Sequence, residues 1–451
     1  MEAGEFEGLE DLSLHVILRK LDSKDTARIG CVSKRFKLLA SEDSVWSHYC
    51  FQDLSLTTPI DSSYNLCASF KEAYDSWRDA FSMYPWPLVI RVKQLWDRLR
   101  SWLKVNCPGA DATLNKGATE SEIREFERAM NVQLPLPTRV LYRFFNGQGL
   151  NYETVSPKGT GSSHTSSSVA TCGLIGGYTF YDHSVDVYLL PLKEVTHLSN
   201  RINRHLGTSG LKSNIVVASS KADSHKYFFL NCTNGQLYVG TKNLLIDGEK
   251  TPCVPTPLIS VHGSANEQQD ALLLWLEEHC RRLENGIISY RKEDNISKIC
   301  QFPEKSPLCS TAVTNGVKIR ASATFVPELS DRVDNGKILF SYSIRMSLLP
   351  EGCTVSGVNF DSCQLYWRHW VIRANDSVVS DVNAEAVIGQ YPLLLPAESE
   401  FAYESCTPLS SSTGSIEGSF SFVPGRLAQP KGSEFEVIVA PFPLRVPEYI
   451  F

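Results

Sequence analysis

The chain has 451 residues, 42% hydrophobic and 10% aromatic, enough for about three packed domains at ~150 residues each. Lys and Arg number 44 against 50 Asp and Glu, a formal net charge of −6, so neither nucleic acid nor an anionic membrane has a broad electrostatic claim as partner. Thirteen cysteines, an odd number without a Cys-x-x-Cys, point to reduced thiols rather than to a disulfide framework or a zinc site.

The amino-terminal Met1-Glu-Ala-Gly-Glu-Phe-Glu is acidic and lacks the basic and apolar regions of a secretory signal. No apolar run approaches the ~18 residues of a membrane span. A cytoplasmic or nuclear protein is expected, in which the Asn-x-Ser/Thr matches at Asn231, Asn295 and Asn375 are chance.

The first dense signal runs from Leu9 to Trp46. Apolar Leu9, Leu12, Leu14, Val16, Ile17, Leu18 and Leu21 precede Asp22-Ser23-Lys24-Asp25, then Val32-Ser33-Lys34-Arg35-Phe36, then Trp46. Leu14, Ile17, Leu18 and Leu21 fall on one face of a short helix, and Asp22 with Ser23 offers the cap of the next. Val32, Phe36 and Leu39 form a second stripe, interrupted by Lys34, Arg35 and Lys37. So short a segment cannot bury two such stripes alone; a partner or the rest of the chain must cover them. The segment resembles an F-box, by which substrate receptors dock on a Skp-type adaptor of a cullin–RING ubiquitin ligase, with Leu9-Glu10 where the family usually has Leu-Pro. The resemblance implies an α-helical F-box over 1–56 in which Leu9, Leu14, Ile17, Leu18, Leu21, Val32, Phe36 and Trp46 serve adaptor binding. An ordinary helical hairpin packed on its own domain is the alternative.

Residues 57–109 read as a helical linker. After the polar break Thr57–Asn65, the residues Leu88, Val92, Leu95, Trp96, Leu99, Trp102 and Leu103 recur at helical spacing, with Arg91, Lys93, Arg98, Arg100 and Lys104 around the remainder. Such a helix suits a membrane surface or a calmodulin-like groove, but without a second membrane signal an interdomain helix is expected. Cys107-Pro108-Gly109 ends it.

A new module opens with the capping box Thr119-Glu-Ser-Glu122, followed by the apolar face Ile123, Phe126 and Met130, the break Leu134-Pro-Leu-Pro137, and an aromatic helix ending at Asn146-Gly147. Ser156–Thr171 reads as a solvated Ser/Thr/Gly loop. Ile215–Ala218 and Tyr227–Leu230 read as buried strands, with Asn234-Gly235 turning a hairpin into Leu237–Val239. Asn266 then starts a helix carrying Leu272, Leu273, Leu276, Cys280 and Leu283, with Arg281 and Arg282 near its end before Gly286. The capped helix, the Leu-Pro break, Tyr142-Arg-Phe-Phe145 with Asn146-Gly147, and Tyr227-Phe-Phe-Leu-Asn231…Gly235-Gln-Leu-Tyr238 resemble the SUKH superfamily of Smi/Knr regulators and toxin-immunity proteins. That resemblance implies an α+β domain over 110–286.

Residues 287–309 are polar and mixed, a linker by composition. Beyond them the period is two. Val317, Ile319, Ala321, Ala323 and Phe325 alternate with polar residues, as do Ile338, Phe340, Tyr342, Ile344, Met346 and Leu348. Further strands are expected at 365–372, 401–405, 416–422 and 435–439, an antiparallel sandwich. Gln364-Leu-x-x-Arg368-x-Trp370-x-Ile372, Val387-Ile-Gly389-x-x-Pro392, Gly414-x-Ile416-x-Gly418-x-Phe420 and Phe442-Pro-Leu-x-Val446-Pro447 resemble an ApaG domain, which implies an immunoglobulin/fibronectin-like sandwich over 310–451. The order F-box, SUKH-like, ApaG resembles that of plant-type F-box proteins that bind Skp adaptors.

Bacterial ApaG domains carry a Gly-x-Gly-x-x-Gly loop linked to pyrophosphate. Here its positions are Ala384, Ala386 and Gly389, with Glu385 between, so two Cβ atoms and a negative charge stand where phosphate oxygens would approach. Gly207–Ser213 and Gly248–Thr251 echo a P-loop without its spacing. No Gly-x-Ser-x-Gly elbow or His-Glu-x-x-His is present. Asp182-His183 and His279-Cys280 are adjacent pairs whose side chains diverge. Arg368, His369 and Trp370 suit a strand, as core or as a recognition patch.

No catalytic residue, metal or cofactor is therefore expected. The resemblances imply a substrate-recognition subunit that docks on a Skp-type adaptor, and through it on cullin and RING subunits, while the later modules hold a protein substrate for ubiquitination and degradation. Two alternatives stand beside it: a phosphate- or nucleotide-sensing ApaG protein, and a SUKH-like neutraliser of a partner protein.

Overall fold

The computed structural model describes residues 10–62, 65–149, 172–206, 213–220, 226–261, 268–293, 296–331 and 336–451. Leu9, Asn266, the 156–171 stretch and most of the 207–213 P-loop echo lie outside the described residues. Two compact units result: the first runs to Arg98 and includes Gln268, and the second takes the described residues of Leu99–His262 and Gln269–Phe451.

The first unit is helical: α1 (Asp11–Leu18), α2 (Ser23–Ile29), α3 (Lys34–Leu39), α4 (Asp43–Leu54), α5 (Phe70–Ala80) and α6 (Trp86–Asn106), whose end passes into the second unit. Helices this short do not persist alone; caps start them and tertiary packing keeps them. Asp22 accepts from the Asp25 amide at 2.6 Å, Ser33 from Phe36 at 3.2 Å and Ser69 from Glu72 at 3.1 Å. Buried Leu14, Leu18, Leu39, Val45, Trp46, Tyr49 and Trp77 are the packing. Lys93, expected on the polar side of α6, is instead buried at 3% exposure. Its Nζ lies 2.6 Å from Asp97 one turn on and over the Trp77 ring at 5.6 Å, so the charge has a partner and the stem has an apolar bed.

In the second unit the capping box forms as the sequence requires. Thr119 accepts from the Glu122 amide and Glu122 from the Thr119 amide, at 3.2 and 2.7 Å, opening the helix Glu120–Met130. Helices Leu136–Phe144, Leu192–Leu206 and Ala271–Glu284 accompany an eight-stranded sheet. The strands run in the spatial order 250–252, 237–240, 227–231, 214–220, 183–189, 176–180, 296–300, 289–293. All neighbours are antiparallel except 296–300 beside 176–180, where Cys300 pairs Gly177. Gly235 turns the 227–240 hairpin at φ +71°, and a Cβ there would lie 2.4 Å from Val261.

Two boundaries differ from expectation. The helix expected from Asn266 begins at Ala271, because Asp270 caps it by accepting from the Leu273 amide at 2.9 Å while Gln269 bridges Ser260 in strand fashion. The 287–309 stretch is no linker: Ser289–Glu293 and Ile296–Cys300 form a hairpin that completes the sheet. The hairpin lies at the end of the sheet, and among its described residues Ile299 and Cys300 alone are buried, which accounts for its polar composition.

The sandwich follows. One sheet orders Cys309–Thr314, Val317–Phe325, Ile338–Leu348 and Phe401–Leu409; the other centres on Cys363–Ala374 between Ser377–Glu385 and Thr413–Arg426, with Phe435–Arg445 beyond. Trp370 is core, 5.2 Å from Phe420 and 6.2 Å from Tyr342 by ring centroids.

Sheet and sandwich share an interior. Glu328, between the second and third sandwich strands, accepts from Tyr178 at 2.8 Å and His183 at 2.9 Å and pairs with wholly buried Lys226 at 3.3 Å. Lys226 also donates to the Tyr178 hydroxyl and to the Phe451 main-chain oxygen, at 2.8 and 2.7 Å. Burial would raise the Glu328 carboxyl, but Lys226 and the donated hydrogen bonds hold it down at about 2. Trp275 donates to the Ile450 carbonyl at 2.7 Å and stacks on the Phe451 ring at 5.1 Å. Arg291 reaches Glu404 at 2.7 Å.

Candidate adaptor-docking surface

Helix α1 has apolar residues on both sides, and the fold assigns each side a role. Leu14 and Leu18 point inward at 2% exposure each, beside the buried pair Thr26 and Tyr49, whose hydroxyls lie 2.6 Å apart. The Tyr49 hydroxyl donates to the Leu18 carbonyl at 2.6 Å, closing the end of α1 that lacks an intrahelical donor. Trp46 donates to the Ala40 carbonyl at 2.7 Å and packs edge-on against Tyr49 at 5.8 Å. Asp11 and Arg35 join α1 to α3 at 2.6 Å, and His15 lies 3.1 Å from Glu42. Burial and a hydrogen bond to Asp53 push the Tyr74 phenol well up, keeping it a donor at any ordinary pH.

The outward side is apolar as well. Leu12 is 76% exposed and Val16, one turn on, 52%; Val32 between α2 and α3 is 73% exposed and Leu38 on α3 74%. Of the residues assigned to adaptor binding from sequence, Val32 is thus exposed and Ile17, Leu21 and Phe36 are half-buried. Leu14, Leu18 and Trp46 are enclosed, and Leu9 lies outside the described residues. Leu12, Val16 and Leu38 were not on that list. The pattern gave no means to separate them, since 12 and 16 are as far apart on a helix as 14 and 18.

The 384–389 loop is a closed turn. Ala384 sits in a strand opposite Arg368; Ala386 adopts φ +60° and Gly389 φ +75°. The Ala386 amide donates to the Tyr366 carbonyl at 3.1 Å, and Val387 and Gln390 exchange both amides at 2.9 and 2.8 Å. Arg368 donates to the carbonyls of Glu385 and Ala386. The amides of Ala386, Val387 and Gln390 and the Arg368 cation are thus already in use within the turn. His279 is enclosed and donates its Nε2–H to the Leu174 carbonyl at 2.9 Å, and burial pulls its pKa down to about 3, which sets it apart from an acid–base group poised near neutrality. Among the described residues no group of His, Cys, Asp and Glu is placed to hold a metal, and no helix is long and apolar enough to cross a membrane.

Against known proteins, an F-box-like family matches residues 13–52 and the ApaG domain family residues 328–424. The F-box protein SKIP16 of Arabidopsis thaliana is 52% identical, with 98% of this chain and all of that protein covered. Human F-box only protein 3 is 25% identical over 92% of this chain and 78% of its own. Protein ApaG of Anaeromyxobacter dehalogenans is 36% identical over 31% of this chain and 96% of its own.

Proposed function

The chain belongs to the F-box proteins that carry an ApaG domain, and from that membership we propose that it is the substrate-recognition subunit of a Skp–cullin–F-box ubiquitin ligase. The observation that carries this reading is the outward apolar set Leu12, Val16, Val32 and Leu38 on a unit whose interior is already filled. Covering each such side chain with a partner is worth roughly 1.5–3 kcal/mol, a strong drive for a helical adaptor groove. Half-buried Ile17, Leu21 and Phe36 would extend the contact, with Leu14, Leu18 and Trp46 holding the helices that present it.

The second unit, with its SUKH-like motifs and its sandwich, would hold a protein substrate. The chain then catalyses nothing itself. It raises the local concentration of substrate lysines near the ubiquitin carrier brought by the cullin and RING subunits, in the cytoplasm or nucleus.

The test is capture of a Skp-type adaptor by the full chain. Leu12→Asp with Val16→Asp should abolish capture while circular dichroism stays unchanged; full capture by that folded variant would overturn the proposal.

A further inference from the structure

We propose that the cavity between the end of the helix Ala271–Glu284 and the sandwich binds a peptide carboxylate, with Arg282 as its anchor. The cavity measures about 360 Å3, the size of a small ligand or one or two side chains.

Arg282 lines it in an unusual electrical state. Its guanidinium lies over the Phe451 ring at 4.7 Å and makes one long hydrogen bond, 3.4 Å, to the Gln301 side-chain oxygen. Among the described residues no carboxylate pairs with it. Glu278, one turn back, has both oxygens in the fork of Arg281, at 2.6 and 2.7 Å. Other half-buried or buried arginines of this unit have a carboxylate partner, Arg139 and Arg143 with Glu120, Arg291 with Glu404, and Arg320 and Arg345 with Glu304, while Arg368 spends its donors on the main-chain carbonyls of Glu385 and Ala386. Burial pulls the Arg282 pKa down to about 10, opposed by Glu278 and reinforced by Arg281, the signature of a desolvated cation short of counter-charge. The aromatic ring beneath and Gln301 beside it hold the fork in place before any ligand arrives.

The remaining lining selects among anions. Charged groups facing the cavity are Arg281, Arg282 and Arg445 against Glu278 and Glu448, three minus two, a net +1 that matches a carboxylate better than a phosphate dianion. Arg445 on the rim has no ion pair among the described residues. Phe325, Pro303, Pro443 and Pro447 supply apolar walls for a neighbouring side chain. The ligand class is therefore a carboxylate beside an apolar group, either a peptide carboxyl end or an acidic side chain with an apolar neighbour. Bidentate Arg–carboxylate bonding would supply the missing counter-charge. This inference does not depend on adaptor docking, and its test leaves the F-box untouched.

Calorimetric titration of the full chain would use N-acetyl-leucine for the carboxyl end, N-acetyl-glutamyl-leucinamide for the side chain, and N-acetyl-leucinamide and inorganic phosphate as controls. At least one carboxylate probe should bind saturably, with the neutral amide about tenfold weaker or worse. Arg282→Gln should weaken that binding by about tenfold or more, Arg282→Lys by less, and Arg445→Gln by a few-fold. Thermal melts check that each variant folds, and Arg445→Gln carries the test if Arg282→Gln does not. Binding of the amide as tight as the acid, indifference to every Arg282 and Arg445 variant, tighter binding of phosphate, or no binding of any probe would overturn it.

Discussion

Leu14 and Val16 stand two residues apart on one helix, and the fold gives one to the interior and the other to solvent. Their variants should therefore fail differently. Leu18→Ala, like Leu14→Ala, removes a filled core position and should cost about 2–5 kcal/mol, lowering adaptor capture only through unfolding, as urea titration would show. Val16→Ala should move stability by no more than about 0.5 kcal/mol and still weaken capture. Which of the two faces inward was not legible, because five of the eight residues in α1 are apolar and both faces satisfy a helical period. Lys93 shows the converse limit. A lysine between apolar residues reads as solvent-facing, yet Asp97 four residues on was the signal that its charge has a partner.

Elements with strong local chemistry were legible almost to the residue. Val317–Phe325 alternates without interruption and Ile338–Leu348 does so from Phe340 on, with Phe340, Ile344 and Met346 in the core and the polar side, Ser341, Ser343 and Arg345, buried as well. The capping box at Thr119 writes its own hydrogen bonds into four residues. Thr119→Ala should destabilise the second unit by about 1 kcal/mol in a urea titration. Its partner Glu122 is held below the ordinary carboxylate range chiefly by the Thr119 amide. The cap's contribution is thus present above that range and fades as pH falls through the lowered value, so Glu122→Gln should flatten part of the acid limb. Edge elements were not legible. Ser377–Glu385 places Val378 and Val379 side by side, both half-exposed, and the 289–300 hairpin is polar; at an edge the neighbours, not the pattern, decide that a strand forms.

At the scale of the whole molecule, Glu328 and Lys226 lie 102 positions apart in a chain whose sequence offers no hint that they meet. Glu328→Gln leaves a buried ammonium without its counter-charge and should cost about 3–5 kcal/mol, much of it recovered by pairing the change with Lys226→Met. The sign of the pH dependence follows from the direction of the shift. Glu328 is depressed from 4.5 to about 2, so its contribution is complete above 4.5 and is lost as pH falls towards 2. Stability measured across that window should lose most of its slope in Glu328→Gln. With the sheet and the sandwich sharing that interior, amides of Asn214–Ser220 and of Ile338–Leu348 should exchange at the same free energy in native-state hydrogen exchange. Two distinct values would show them to be independent folding units.

The insertion of Ile450 and Phe451 against Trp275, together with Lys226 reaching the Phe451 oxygen, bears on how the parts of this protein can be told apart by genetics. A truncation meant to delete only the sandwich also removes the ring that stacks on Trp275 and, with Glu328, the side-chain carboxylate that pairs with Lys226. What remains exposes an indole and buries a bare cation. The phenotype of such an allele would report the collapse of its neighbour as much as the loss of a binding surface. Point variants on the outer faces are the alleles that separate the two.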